Sequence, residues 1–166
     1  MWFSIIDMDQ KTIEGICRYY HIYNWTLNGN KIDVKGDVNL KEKNLTKIPI
    51  PFGTVTGRFD CSKNSLKTLE NCPIVVGKDF NCENNKLTDL NGCPIQIGGS
   101  FHCYFNELKN NISTNVICGD FFTSVEPEDD VVIMPMYGDT LCIVDYNKWN
   151  KRMKRLSTIK NILNHK

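Results

Sequence analysis

The sequence predicts an α+β fold: a short solenoid whose stacked 21-residue coils build a parallel β-sheet, with a helix-hairpin cap at its start and a hairpin-helix cap at its end. Three observations predict it. First, a 21-residue shift of the chain superposes Phe59, Phe80, Phe101 and Phe122, as well as Cys61 on Cys82 and Cys103, Asn64 on Asn85 and Asn106, and Leu66 on Leu87 and Leu108. The same shift superposes Leu69 on Leu90, Cys72 on Cys93, Pro73 on Pro94, and Gly77 on Gly98 and Gly119. Self-similarity at a fixed period is the mark of a repeat architecture and overrides local propensity. Second, Phe59-Asp60-Cys61 and its copies alternate apolar and polar residues, the pattern of a short strand with one buried face. Third, the segments on either side of the repeat carry helix and hairpin patterns that can close its ends.

The repeat unit explains why coils must stack. A single coil leaves its apolar face half exposed, and a neighbour covers it at a rise of roughly 4.8 Å. With roughly five or six inward side chains per coil, at ~1.5–3 kcal/mol each for full burial, every added coil gains several kcal/mol before its entropy cost. Asn64 and its copies follow the strand, where the amide can bend the chain inward and donate to backbone carbonyls of neighbouring coils. The Cys-Pro pair and the following Gly turn the chain back toward the next strand.

The elements follow in order along one domain. Residues 1–35 form the first cap. Ile13, Ile16, Cys17 and Tyr20 lie at helical spacing, Asp9 stands where an N-cap belongs, and Asn28-Gly29 joins Tyr23–Leu27 to Lys31–Val34 as a hairpin. Residues 36–122 form an array of about four coils. The earliest is degenerate, running from Val38-Asn39-Leu40 through Leu45 and Ile48 with its Asn at position 44 rather than 43. No segment between the strands has a helical period, so the outer side should be extended or 3₁₀. From residue 110 the pattern decays, with Asn111 replacing the second Leu and Thr114-Asn115 replacing Cys-Pro. Residues 123–166 form the second cap. After the acidic break Glu126-Pro127-Glu128-Asp129-Asp130, Val131–Met134 and Thr140–Val144 read as two strands of a hairpin around Tyr137-Gly138-Asp139. A helix beginning near Asp145 then places Trp149, Met153, Leu156, Ile159 and Leu163 on one face.

The unit Phe59-Asp60-Cys61-Ser62-Lys63-Asn64-Ser65-Leu66 resembles the leucine-rich repeat, whose core pattern is L-x-L-x-x-N-x-L, and it recurs at Phe80 to Leu87 and Phe101 to Leu108. The resemblance covers about residues 36–122. The Cys-Ser-x-Asn and Gly-Cys-Pro wording, and a start such as YNWTLNGNKIDVKGDVNL, also resemble short repeat proteins of tailed bacteriophages. The first resemblance implies that the exposed face of the parallel sheet binds a protein partner. The second implies a viral setting and little about activity.

Composition bounds the partners. The net charge of +1 predicts no global attraction to nucleic acid or membrane. That mean hides an asymmetry: residues 145–166 hold five Lys and two Arg against one Asp, a local +6, which leaves −5 for the rest. The N-terminal Met1-Trp2-Phe3-Ser4-Ile5-Ile6-Asp7 lacks the basic region and apolar length of a signal peptide, and no run approaches the ~20 apolar residues of a membrane helix. A cytoplasmic location is therefore expected, the host cytoplasm if the protein is viral, with no membrane association. There the eight cysteines should stay reduced.

Candidate chemistry is sparse. No Cys-x-x-Cys knuckle is present, so the cysteine columns are expected to pack as small hydrophobes rather than bind metal. His102 and Cys103 are adjacent on a strand and point to opposite faces, so they cannot act as a pair. No nucleophile elbow, phosphate loop or His-Glu-x-x-His occurs, and neither enzymatic activity nor a cofactor is expected. The face of the parallel sheet presents columns instead: Asp60, Asn81 and His102; Ser62, Glu83 and Tyr104; and beyond them Lys63, Asn84 and Phe105. Tyr104 and Phe105 stand out, since aromatics are over-represented where binding energy concentrates. A second candidate is the basic patch Lys148, Lys151, Arg152, Lys154 and Arg155, which could meet phosphates or an acidic protein groove, although charge runs commonly only solvate a face. The expected function is a protein-protein interaction module, a phage-encoded factor that binds and modulates a host transcription, RNA-handling or defence protein. The alternative is a nucleic-acid-binding regulator acting through the basic helix.

Overall fold

The first described element is a helix, and Asp9 caps it. In the computed structural model, which describes residues 8–108, 115, 116, 118, 120–124, 131–135, 142 and 143, helix α1 spans Gln10–Tyr19. The Asp9 carboxylate accepts the Thr12 N–H at 2.7 Å, and that bond holds its pKa below the usual carboxylate value. Ile13 and Cys17 face the core, with Ile16 and Tyr20 packed beside them. Burial pushes the Cys17 thiol up to about 11.

The predicted hairpin forms one residue later than its sequence suggests. Strand β1 is Trp25–Asn28 and β2 is Lys31–Val34, with Asn28 opposite Lys31, so the turn residues are Gly29 and Asn30 rather than Asn28 and Gly29. Gly29, at φ 62, takes the left-handed first turn position. Asn28 is thereby released to donate across the strands to Asp33 at 2.8 Å.

The repeat then coils as predicted. Strands β3 (Val38–Asn39), β5 (Phe59–Asp60), β7 (Phe80–Asn81) and β9 (Phe101–His102) pair in parallel, with Val38 beside Phe59, Phe59 beside Phe80 and Phe80 beside Phe101. The register therefore advances by the same 21-residue step at each coil. The outer side of the coils is extended, one of the two expected forms, and it also pairs from coil to coil. Strands β4 (Phe52–Val55), β6 (Val75–Val76) and β8 (Gln96–Ile97) form a second parallel sheet, joined to the hairpin through β2. The chain is thus a parallel β-solenoid with a sheet on each side of one core. The second sheet is hard to see in sequence because β6 and β8 are each a single pair of residues, too short for alternation to register.

Between the sheets runs a column of phenylalanines. Phe52, Phe59, Phe80 and Phe101 are fully buried, with ring centroids 5.1, 5.8 and 5.3 Å apart in succession. Each such pair contributes ~0.5–1.5 kcal/mol beyond its buried area. Cys61, Cys82 and Cys103 are fully buried as well, as are Leu66, Leu69 and Leu87. The coils also approach closely at their corners. A Cβ on Gly77 would meet the Thr56 carbonyl, and one on Gly98 would meet the Gly77 carbonyl. Only glycine fits there.

The asparagine column satisfies the polar backbone at the inner corners. Asn85 donates to the Cys61 carbonyl of the preceding coil at 3.1 Å and to Cys82 of its own coil at 3.0 Å, while its side-chain oxygen accepts the Leu66 N–H at 2.9 Å. Asn64 does the same between Leu40 and Cys61, and Asn106 between Cys82 and Cys103. The first coil lacks this residue. One coil before Asn64 stands Lys43, whose backbone N–H is taken by Asn64 at 3.0 Å. Asn44 instead adopts a left-handed backbone at φ 55.

Beyond residue 108 the described residues depart from expectation in two ways. Strand β11 (Asp120–Ser124) extends the first sheet in parallel beside β9, but Phe121, not Phe122, stands beside Phe101. That step falls one short of the preceding coils, which fits the decay of the repeat after residue 110. Second, the predicted strands at 131–134 and 140–144 do not pair with each other. β12 (Val131–Pro135) runs antiparallel to β11, and β13 (Cys142–Ile143) antiparallel to β10 (Asn115–Val116). Each finds a partner earlier in the chain, so the hairpin spans the acidic break instead of Tyr137-Gly138-Asp139. Gly119 and the helix placed after Asp145 lie outside the described residues. Among the described residues, no helix is long and apolar enough to cross a membrane.

The asparagine column yields a stability prediction. Asn85→Ala removes the acceptor of the Leu66 N–H inside the fold, and its expected cost is about 2–4 kcal/mol, read as a lower urea midpoint with unchanged slope. A loss below about 0.5 kcal/mol, the size of an ordinary surface change, would show that the column is not structural.

Candidate binding face

The face of the first sheet is built by two features that recur once per coil. Asn39, Asp60 and Asn81 each accept the backbone N–H two positions on, from Lys41, Ser62 and Glu83, at 3.0 Å in every case. These turns throw the chain off the strand. A little further along each coil, at Glu42, Lys63, Asn84 and Phe105, the backbone is left-handed, with φ of 55, 54, 55 and 54. The side chains of those four positions therefore leave the coil at one angle and form a column at the rim of the sheet.

The candidate residues occupy this face unequally. Asp60, Asn81, Glu83, His102 and Tyr104 are partly exposed, and Phe105 is 64% exposed. Ser62 differs: it is fully buried, and its hydroxyl donates to Asp60 at 2.6 Å. It closes the turn and offers no surface to a ligand, because at the strand end the chain has already bent inward and the simple alternation of sides no longer holds. His102 is partly exposed while Cys103 is buried, as adjacent strand residues should be.

Charge runs unevenly along the face. At the first-coil end Lys63 pairs with Glu42 at 3.0 Å, which raises the lysine pKa and lowers that of the glutamate, with Lys41 adding to the latter. Sequence reasoning does not single out Glu42, although the 21-residue shift from Lys63 points to it. At the fourth-coil end the rings gather. His102 and Tyr104 have centroids 6.1 Å apart, and Tyr104 and Phe105 meet edge to face at 5.1 Å and 79°. The Tyr104 hydroxyl donates to the Glu83 carboxylate; that bond, with burial and the negative charges of Glu83 and Asp60, pushes its pKa up to about 12.

Other features carry less. Cys17, Cys61, Cys72, Cys82, Cys103 and Cys118 are buried thiols, and burial pushes the Cys72 and Cys82 pKa values well above the ordinary one, which suppresses the reactive thiolate. Among the described residues no cluster of three or more His, Cys, Asp or Glu is placed to hold a metal ion. Ile74 and Ile95, just before β6 and β8, are exposed beside a cleft of about 300 Å³ that also touches Phe52 and Pro73. The basic patch Lys148, Lys151, Arg152, Lys154 and Arg155 lies outside the described residues.

The Tyr104–Glu83 bond is testable by titration. Donation to a carboxylate favours the protonated phenol, so Glu83→Gln should lower the Tyr104 pKa from about 12 toward the ordinary 10. Phenolate absorbance, compared between the variant and the native chain, checks it. An unchanged Tyr104 titration would remove Glu83 from this contact.

In comparisons with known proteins, the chain matches no family model, no curated protein and no solved structure.

Proposed function

We propose that the chain is a protein-interaction module, not an enzyme, and that it binds its partner on the face of the first sheet through Asp60, Asn81, Glu83, His102, Tyr104 and Phe105. The observation that carries this reading is Phe105. It is a large aromatic, 64% exposed, at φ 54. A left-handed backbone costs a bulky residue ~1–3 kcal/mol, and an exposed ring recovers little of that through burial. One coil earlier the equivalent position is Asn84, a residue suited to that conformation. That backbone disfavours a phenylalanine, and contact of its exposed ring face with a partner offsets the cost.

The likeness of the repeat to leucine-rich repeats supports a partner on this face, and the phage-like wording supports a host protein of transcription, RNA handling or defence as that partner. A cytoplasmic setting agrees with this reading. The alternative, nucleic-acid binding through Lys148, Lys151, Arg152, Lys154 and Arg155, is favoured by the local +6 charge of residues 145–166.

The test couples binding to stability. Phe105→Asn should leave the thermal midpoint unchanged or raise it by a few degrees, because it relieves the backbone. It should also abolish capture of a specific protein from bacterial lysate, while the native chain retains that protein after nuclease treatment. Equal capture by both chains would place the partner elsewhere. Capture abolished by nuclease would favour the basic patch.

A further inference from the structure

We infer that the fourth-coil end of this face receives a cationic side chain of the partner, seated in the corner between the Tyr104 and Phe105 rings with Glu83 as its counter-charge. The inference rests on the protein-binding reading above and supplies its chemistry.

The geometry of the corner comes first. Tyr104 and Phe105 stand at 79° with centroids 5.1 Å apart, so their planes form two walls, and Phe105 is the more open of them. Ring faces carry the negative lobe of the aromatic quadrupole and attract cations within about 6 Å. Glu83 is already fixed beside Tyr104 by the hydroxyl it accepts. A carboxylate has roughly four acceptor positions, so one phenol leaves it able to take a guanidinium or ammonium as well. Asp60 adds a second negative charge from the coil below, and its bonds to Ser62 use Oδ1.

The distribution of charge decides the sign of the ligand. Of the cations of this face, Lys41 and Lys63 both act on Glu42, to which Lys63 is bonded, and Lys63 also acts on Glu83 one coil away. Lys41 and Tyr104 are three coils apart in the same column, which at the strand spacing is roughly 14 Å, beyond one Debye length at physiological salt. The aromatic end thus presents ring faces and two carboxylates, Glu83 and Asp60, against one shared lysine that is itself bonded to Glu42. An acidic group arriving there would meet Glu83 and Asp60 and be repelled.

The test uses the full chain, labelled for NMR, and three probes: N-acetyl-Gly-Arg-Gly-amide, the same peptide with citrulline, and the same peptide with glutamate. Citrulline keeps the shape of arginine and removes its charge. The arginine peptide should shift the Phe105 and Tyr104 ring signals, with citrulline about two- to fivefold weaker and glutamate silent. Glu83→Gln should bring arginine down to the citrulline level, whereas Phe105→Trp should keep or strengthen binding and Phe105→Asn should lose it. Equal arginine and citrulline responses, or a stronger glutamate response, at these rings would overturn the cation while leaving the face a binding surface. Arginine shifts confined to other residues, or no shift at all, would also overturn it; the fate of the binding face would then be settled separately by the Phe105→Asn capture experiment.

Discussion

The structure depends on one constraint: a chain that coils on so short a period must bend inward at its corners without leaving backbone amides unpaired. Buried N–H and C=O groups that lack partners cost ~1–3 kcal/mol each, enough in a few coils to exceed the stability of a small domain. The asparagine column meets this constraint. Its amide is one of the few side chains with both donors and an acceptor, and each copy uses both across coils. Asn85 ties Cys61, Leu66 and Cys82 together, and Asn106 shares the Cys82 carbonyl with it. The bonds overlap from coil to coil. A missing member removes a link between coils rather than one local contact.

Register follows from that ladder. Once Asn64, Asn85 and Asn106 fix the corners, Phe59, Phe80 and Phe101 stack inside, and Gly77 and Gly98 let the outer corners touch. The same periodicity then governs the exterior. Glu42, Lys63, Asn84 and Phe105 share one backbone conformation because they share one place in the coil. The exposed face of the first sheet is thus a by-product of the core's repeat. Its residues can vary in chemistry but not in position, so an ion pair at one end and an aromatic corner at the other can occupy the same scaffold.

Much of this was legible in the sequence, and the parts that were not share a cause. The 21-residue period, the buried cysteine and phenylalanine columns, the Asp9-capped helix and the role of the asparagines all follow from strong, repeated patterns. What escaped were features decided by a handful of side chains. The strands at Val75–Val76 and Gln96–Ile97 are too short to alternate, and the hairpin turn shifts by one because Asn28 can serve either as a turn residue or as a cross-strand donor. Past residue 108 the repeat fades, so extrapolating it by a full period put Phe122 where Phe121 stands. Tyr104 and Phe105 reach the surface as expected, whereas Ser62 is buried, since strict alternation ends where the chain turns. The left-handed rim is a backbone property of the folded coil, and no residue type at Glu42, Lys63 or Phe105 announces it.

Conformational strain at Phe105, its ring contact with Tyr104 and the carboxylate of Glu83 give the face a polarity that the core does not require. Those features carry weight only if the coils stack in the register described, because Glu83 and Tyr104 come from successive turns. The most direct measurement of that register is a nuclear Overhauser spectrum of the native chain. Cross-peaks between backbone protons of residue pairs such as Phe59 and Phe80, or Phe80 and Phe101, should recur at the 21-residue separation from residue 38 to residue 102. Cross-peaks at another separation, or none between these segments, would contradict the solenoid and with it the face.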